Sequence, residues 1–366
     1  MIFVMVVIGG ITRLTMSGLS ITEWQPVTGI LPPLSTAAWA AEFEKYQQIP
    51  QYRLLNHGMS LAEFQTIYWW EYVHRLWGRL IGFAYAVPFL YFWLRGRLPR
   101  RLLAPLGAIL LLGCAQGALG WYMVESGLAE RVEVSQYRLV AHLALALAIY
   151  AVTLWIALGL LQSPSPALRE RVAEAKPRPG EGVGKRRAVR PLTPTLSPDG
   201  GEGVNWVWRR AGDAIIALVA LTIVAGGFVA GLHAGLVYNT FPLMDGSLVP
   251  TGYAELQPFA RNWFENVAAV QFDHRLLAMT TAAAVLALWL AGSQAVLPRP
   301  ARLALYGLLA AAALQFALGV STLLLVAPVP LAVAHQGGAV LLLTAAIVLR
   351  HTLRRPRLDR EASAAI

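Results

Sequence analysis

Four of the seven histidines in this chain form two matching pairs in apolar stretches: His74 with His274, and His142 with His335. The first pair shares the triplet His-Arg-Leu, in 71-EYVHRLWGRL-80 and 271-QFDHRLLAMT-280. Ionisable groups inside apolar helices are costly and usually functional. Two imidazoles that face each other across a helical bundle are the arrangement that binds a metal, or a haem iron on both axial sides. The duplication therefore predicts two metal or haem sites.

Haem explains these residues better than a bare metal ion. A zinc or di-iron site needs further ligands close by, usually carboxylates. Glu71-x-x-His74 resembles the Glu-x-x-His element of di-iron sites, but the second half offers Gln271 and Asp273. Arginines near the histidines are candidate partners for haem propionates: Arg75, Arg79, Arg138 and Arg275. The alternative for each arginine is anchoring at the membrane interface.

Glu71 is the main difference between the two sites. It lies three residues before His74 and therefore on the same helix face, whereas Gln271 takes the matching place before His274. Because a carboxylate lies beside one of the two sites and not beside the other, we predict that the first site carries out the reaction and that the second transfers electrons. The alternative is an acid that is favourable at the N-terminus of a helix.

The elements that must position these residues are membrane helices. Of the 366 residues, 57% are hydrophobic and 14% are charged, against roughly a quarter charged in soluble domains. Apolar runs that could span a bilayer lie near 2–16, 73–94, 102–124, 138–161, 212–232, 274–296, 303–326 and 331–349. We therefore predict an all-α integral membrane fold with eight transmembrane helices. The first run is short for a bilayer, which favours a natural start upstream.

The basic residues predict the orientation of these helices. Most of the 30 Lys and Arg residues lie in segments on one side of the predicted spans, and few lie in the opposite loops. Because basic residues favour the cytoplasmic side, we expect both termini in the cytoplasm and the large loops 18–70 and 233–272 outside. The net charge of +10 therefore reflects topology and does not indicate nucleic acid as a partner.

The chain divides into two similar halves, 1–162 and 211–366. The segment 163–210 between them is rich in Pro, Gly and charge without periodicity, which predicts a disordered cytoplasmic linker. The halves also match in 115-AQGALGWYMVESGL-128 and 314-LQFALGVSTLLLVA-327, and each has a Gly-Gly pair in its first span. Because each half has an even number of spans, we predict two parallel four-helix repeats.

Three segments resemble a known family: 9-GGITRLTMSGLSITEWQPVTGILPPL-34, 43-FEKYQQIPQYRLLNHGMSLAEFQTIYWWEYVHRLWGR-79 and 239-NTFPLMDGSLVP-250. They closely resemble haem A synthase, in the branch shared by α-proteobacteria and mitochondria. The resemblance covers nearly the whole chain outside the linker. It implies an oxidoreductase that converts the C8 methyl group of haem O to a formyl group, through hydroxylation, and so supplies haem A for cytochrome c oxidase.

The resemblance also implies roles for the residues of the two halves. His74 and His142 would hold the substrate haem O, with Glu71 as the catalytic acid, while His274 and His335 would ligate a resident haem b. The implied location is the bacterial inner (plasma) membrane. The implied partners are the lipid bilayer, the haem O synthase and an electron acceptor, and a homo-oligomer is left open.

Two other functions are weighed against this one. A di-haem b-type electron-transfer cytochrome would need all four histidines but not Glu71. A transporter is favoured by the repeat, but its site would lie near the bilayer midplane, whereas the histidines are predicted near the outer ends of their helices.

Overall fold

The computed structural model describes residues 1–25, 28–130, 132–161 and 201–354. Over these residues the chain is helical, and its only β-type pairing is an isolated bridge between Met244 and Ser247. The α-helices are α1 (Ile2–Leu14), α2 (Thr36–Gln47), α3 (Pro50–Leu54), α4 (Leu61–Leu94), α5 (Arg100–Glu130), α6 (Gln136–Leu161), α7 (Gly201–Gly231), α8 (Asn262–Glu265), α9 (Val267–Gln294), α10 (Arg299–Leu324) and α11 (Val329–Thr352).

Six of these helices are long and apolar enough to cross a membrane, namely α5, α6, α7, α9, α10 and α11. The two remaining predicted spans coincide with α1 and with the C-terminal part of α4. Helix α1 is apolar but has only 13 residues. Helix α4 has 34 residues and is rich in Tyr and Trp, which lower its hydropathy. The described residues therefore form an all-α structure with six candidate membrane spans.

Helix α4 begins at Leu61, well before the predicted start of its span at 73. Ser60 and Glu63 form a capping box at this end, in which each side chain accepts a hydrogen bond from the backbone N–H of the other. The added turns bury Phe64 against Tyr46 of α2, with ring centroids 5.2 Å apart. The extension is helical because its apolar face packs on the loop between α1 and α4.

The prediction of a disordered linker over 163–210 is wrong in its last part, because α7 begins at Gly201. Trp208 packs against the main apolar core, and Arg209 donates a hydrogen bond to the carbonyl of Leu353 at 2.7 Å. These contacts stabilise the helical turns that precede the predicted span at 212–232. The rest of the predicted linker (163–200) and the end of the basic tail (355–366) lie outside the described residues.

The same helix pairs pack together in both halves. In the N-terminal half α1 packs on α4 and α5 on α6, and in the C-terminal half α7 packs on α9 and α10 on α11. The halves meet through α1 against α11 and through α6 against α7. The contact between the halves is therefore formed by α1 and α6 of the N-terminal half and by α7 and α11 of the C-terminal half.

Candidate functional site

The four predicted site histidines lie on four different helices, two in each half. His74 belongs to α4 and His142 to α6, while His274 belongs to α9 and His335 to α11. The two imidazoles of each half are close enough to interact electrostatically. The structure thus places the two histidines of each half near each other, His74 with His142 and His274 with His335.

Each histidine ring lies against a glycine of a neighbouring helix. The facing pairs are His74 with Gly9, His142 with Gly120, His274 with Gly226 and His335 with Gly319. A Cβ on these glycines would lie 3.1, 3.1, 2.9 and 2.8 Å, respectively, from the Cε1 atom of the ring. A side chain at Gly226 or Gly319 would require the ring to shift, and one at Gly9 or Gly120 would press tightly against the ring. The sequence analysis missed these contacts, although the repeated Gly-Gly and Ala-Leu-Gly motifs were their signal.

The hydrogen bonding of the ring nitrogen Nδ1 differs between the two halves. In the C-terminal half, Nδ1 of His274 is 3.1 Å from the carbonyl oxygen of Thr222 on α7, and Nδ1 of His335 is 3.1 Å from the amide nitrogen of Gln315 on α10. In the N-terminal half, both Nδ1 atoms are buried and have no hydrogen-bond partner among the described residues. A hydrogen bond at Nδ1 orients the ring and leaves Nε2 available to a metal.

Pairs of imidazoles suit a haem iron better than a bare metal ion. Over the described part of the chain, no group of three or more His, Cys, Asp or Glu side chains could hold a metal. A zinc site takes three or four protein ligands, whereas each pair here supplies two. A porphyrin brings its own four nitrogens, so two axial histidines complete the coordination of its iron. The donor set therefore fits haem in each half.

Glu71 is buried, with 2% exposure, and accepts four hydrogen bonds. One carboxylate oxygen accepts from the hydroxyl of Ser20 and the backbone N–H of Ile21, both at 2.8 Å. The other accepts from Nη2 and Nε of Arg75 at 2.7 and 3.1 Å. Arg75 also donates to the carbonyls of Ile21 and Glu23. Together Glu71 and Arg75 hold the start of the loop that follows α1.

Gln271 and Arg275 hold the matching loop of the other half. The amide of Gln271 donates to the carbonyls of Ala234 and Val237 at 2.8 and 2.7 Å. Arg275 donates to the Gln271 side-chain oxygen at 3.2 Å and to the carbonyl of Thr240 at 2.8 Å. The carboxylate of one half accepts bonds from its loop, whereas the amide of the other half donates bonds to its loop.

The other two predicted arginines lie apart from Glu71. Arg79 donates to the carbonyl of Gln25 at 2.8 Å. Arg138 donates to the hydroxyl of Tyr122 at 3.3 Å, and its guanidinium lies over that ring, 4.5 Å from the centroid. The expectation that Arg75, Arg79, Arg138 and Arg275 contact propionates stays a prediction.

A polar cluster that the sequence analysis did not anticipate joins the two halves. Arg13 of α1 donates to Glu133 at 3.0 Å and to the carbonyl of Ala230 on α7 at 3.1 Å. Its Nη2 atom is also 2.9 Å from Nε2 of His233, which lies 2.7 Å from Glu133. The single arginine in the first apolar run was the signal for this contact.

Known proteins resemble this chain along nearly its whole length. The COX15-CtaA family, described as cytochrome oxidase assembly protein, matches residues 1–181 and 201–347. The "Heme A synthase" of Nitrosospira multiformis is 50% identical over 97% of this chain and 91% of its own length. That of Rhodospirillum centenum is 49% identical over 99% and 88%. "Heme A synthase COX15" of Mus musculus is 44% identical over 96% and 78%.

These matches include both bacterial proteins and a mammalian one, and they confirm the resemblance drawn from the sequence. The family match and the identities extend over all four histidines and over the loops 18–70 and 233–272. The chain therefore belongs to the COX15-CtaA family of cytochrome oxidase assembly proteins.

Proposed function

We propose that this chain is a haem A synthase, an oxidoreductase that converts the C8 methyl group of haem O to the formyl group of haem A. The observation that carries the proposal is a near full-length match to proteins of that name in a chain that has two histidines on different helices in each half. The product would serve cytochrome c oxidase.

We assign the substrate to the N-terminal half and a resident haem b to the C-terminal half. His74 and His142 would hold haem O, and His274 and His335 would hold haem b. The hydrogen bonds at Nδ1 support this division, because over the described residues they occur on the C-terminal pair and not on the N-terminal pair. A resident cofactor benefits from ligands that are fixed in advance, whereas a product that must leave benefits from ligands that can move.

Haem in the N-terminal half would supply the oxidising chemistry that a methyl C–H bond requires. The residues of the chain would then orient the substrate and handle charge. His74 and His142 would fix the haem plane, and Arg75 and Arg79 would pair with its propionates. Glu71 would relay protons or balance a positive charge close to His74.

We propose that eight helices span the membrane as two parallel four-helix repeats, with both termini in the cytoplasm of a bacterial inner membrane. The matching helix pairs of the two halves support the repeat. The distribution of basic residues supports the orientation. The partners would be the bilayer, the haem O synthase that supplies the substrate and an electron acceptor.

Haem extraction and chromatography test the proposed function. The full chain would be expressed in a host that supplies haem O, and the haems of the purified protein would be separated. We expect haem A or its hydroxylated precursor beside haem b. Haem b alone, at two per chain, would instead identify a di-haem electron-transfer cytochrome.

A further inference from the structure

Gln315 is the only side chain of the described residues that forms a hydrogen bond with the ring of His335. It lies on α10, one helical turn before Gly319, and its Nε2 atom is 3.1 Å from Nδ1 of His335. Its Oε1 atom is buried and has no hydrogen-bond partner within the part of the chain that the structure describes. The amide therefore touches the ring with one end and leaves the other end unsatisfied.

The chemistry of the ring decides which end of the amide should face it. If the amide nitrogen donates to Nδ1, the ring proton must lie on Nε2, and Nε2 is then unable to bind iron. If the two ends of the amide are exchanged, the oxygen accepts from Nδ1–H and Nε2 is free. The nitrogen and oxygen of a glutamine amide have nearly the same shape, so the exchange needs no extra space.

Two glycines make room for this contact. Gly319 on α10 faces the ring itself, and a methyl group there would lie 2.8 Å from Cε1 of His335. Gly338 on α11, one turn after His335, faces the amide of Gln315, and a methyl group there would overlap the amide oxygen. Gln315 can reach the ring only because both positions lack a side chain.

We propose that Gln315 is a positioning residue for the resident haem: its amide oxygen accepts a hydrogen bond from Nδ1–H of His335 and so holds Nε2 towards the iron. The proposal rests on the proposed function, in which His335 is an axial ligand of haem b. An outer partner of this kind also makes the imidazole a stronger donor to the metal.

The N-terminal half offers a matched comparison. Gln116 takes the place of Gln315, also one turn before a glycine that faces a histidine. Its amide nitrogen donates to the backbone carbonyl of His142 at 3.1 Å, and Nδ1 of that ring has no partner among the described residues. Leu145 stands where the other half has Gly338. The same glutamine therefore does not orient the ring in this half.

The test compares Gln315→Leu, Gln315→Glu and Gln116→Leu in the full-length protein purified with its haems. The readouts are haem b per chain, the midpoint potential of haem b and its low-spin electron paramagnetic resonance signal. We expect Gln315→Leu to weaken haem b binding by roughly 10- to 100-fold and to raise the potential of the haem that remains. Gln315→Glu keeps an acceptor, so it should retain haem b and lower the potential. Gln116→Leu should leave all three haem b readouts at their original values.

The midpoint potential of haem b should rise in Gln315→Leu and fall in Gln315→Glu. Opposite shifts of this kind would show that Gln315 acts through its hydrogen bond to His335 and not by filling space. The proposal is overturned if Gln315→Leu keeps the original haem b content and potential, or if Leu and Glu shift the potential in the same direction. Should Gln315→Leu fail to accumulate, Gly338→Ala takes its place, because the new methyl group displaces the amide and must raise the potential. Unmodified protein without haem b would instead overturn the proposed function.

Discussion

At the scale of single residues, Glu71 and Gln271 occupy matching places and yet bond to their loops with opposite polarity. The carboxylate accepts from Ser20 and Ile21, whereas the amide donates to Ala234 and Val237. The two halves therefore differ in the loop as well as in the side chain: one loop presents hydrogen-bond donors to Glu71, and the other presents carbonyl acceptors to Gln271. An acid at this place serves the first half as a loop anchor, which is compatible with a second role in charge transfer.

Replacing Glu71 by Gln tests the second role. The amide nearly matches the volume of the carboxylate, but it cannot take up a proton or carry a negative charge. We expect formation of haem A to fall by about 10²- to 10⁴-fold, the range of general acid–base contributions, with haem b content unchanged. The measurement is the ratio of haem A to haem O after expression with excess haem O.

The control for this experiment is Glu44→Gln, because Glu44 is an exposed acid on α2. It should leave the haem ratio unaltered. If Glu71→Gln also keeps the original ratio, Glu71 only anchors the loop, and its proposed role in proton or charge transfer is overturned.

At the scale of helices, the glycines that face the histidines set the distance between neighbouring elements. Gly226 brings α7 close enough for the carbonyl of Thr222 to bond to His274 on α9. A larger residue would push the ring out of this contact. The spacing of α7 and α9 is therefore fixed by the site and not only by apolar packing.

Gly226→Ala is expected to reduce haem b content and to destabilise the protein by about 1–3 kcal/mol, the usual cost of overpacking. The new methyl group would lie 2.9 Å from Cε1 of His274. Haem b per chain and thermal unfolding in detergent give the two measurements.

Gly307→Ala provides the comparison, because nothing lies within 4 Å of a Cβ at this helical position. It should keep haem b and increase stability slightly, as alanine favours a helix over glycine. Equal losses of haem b in both variants would show that the effect comes from helix propensity and not from the histidine contact.

The sequence predicted the helices better than their ends. Long apolar runs identified the six candidate spans, because burial in lipid demands continuous hydrophobicity. The starts at Leu61 and Gly201 were missed, since they depend on contacts with Tyr46 and Leu353, which are distant in sequence. Repetition between the two halves marked the four histidines as candidates, and their role as ligands stays a prediction.

The partners of the histidine rings could not be predicted in the same way. Gln315 and Thr222 are ordinary residues of apolar helices until the packing of α10 on α11 and of α7 on α9 places them at a ring. Their role depends on the rotation of each helix about its axis. The hydropathy of the sequence does not determine this rotation.

At the scale of the whole molecule, the proposed orientation has a direct test in membranes. Glu44→Cys and Val296→Cys would be made separately in a Cys114→Ser background, because Cys114 is the single cysteine of the chain. Glu44 lies in the loop before α4, and Val296, 93% exposed, lies between α9 and α10. An odd number of proposed spans separates the two positions, so they should face opposite sides.

A maleimide that does not cross membranes, added to intact spheroplasts, should label the Glu44→Cys protein only. The Val296→Cys protein should be labelled after lysis. The reverse pattern would invert the orientation, and labelling of both from outside would require an even number of spans between them.

The contact between α1 and α11 has a consequence for the synthesis and membrane insertion of the protein. Gln336 on α11 donates to the carbonyl of Val6 on α1 at 2.7 Å, so α1 packs against a helix that lies 330 residues later in the sequence. During synthesis α1 must wait in the lipid until α11 is inserted. Because Gly9 of α1 faces the ring of His74, we expect the surroundings of His74 to be completed only after α11 has been inserted, which leaves this histidine accessible to an incoming haem until then.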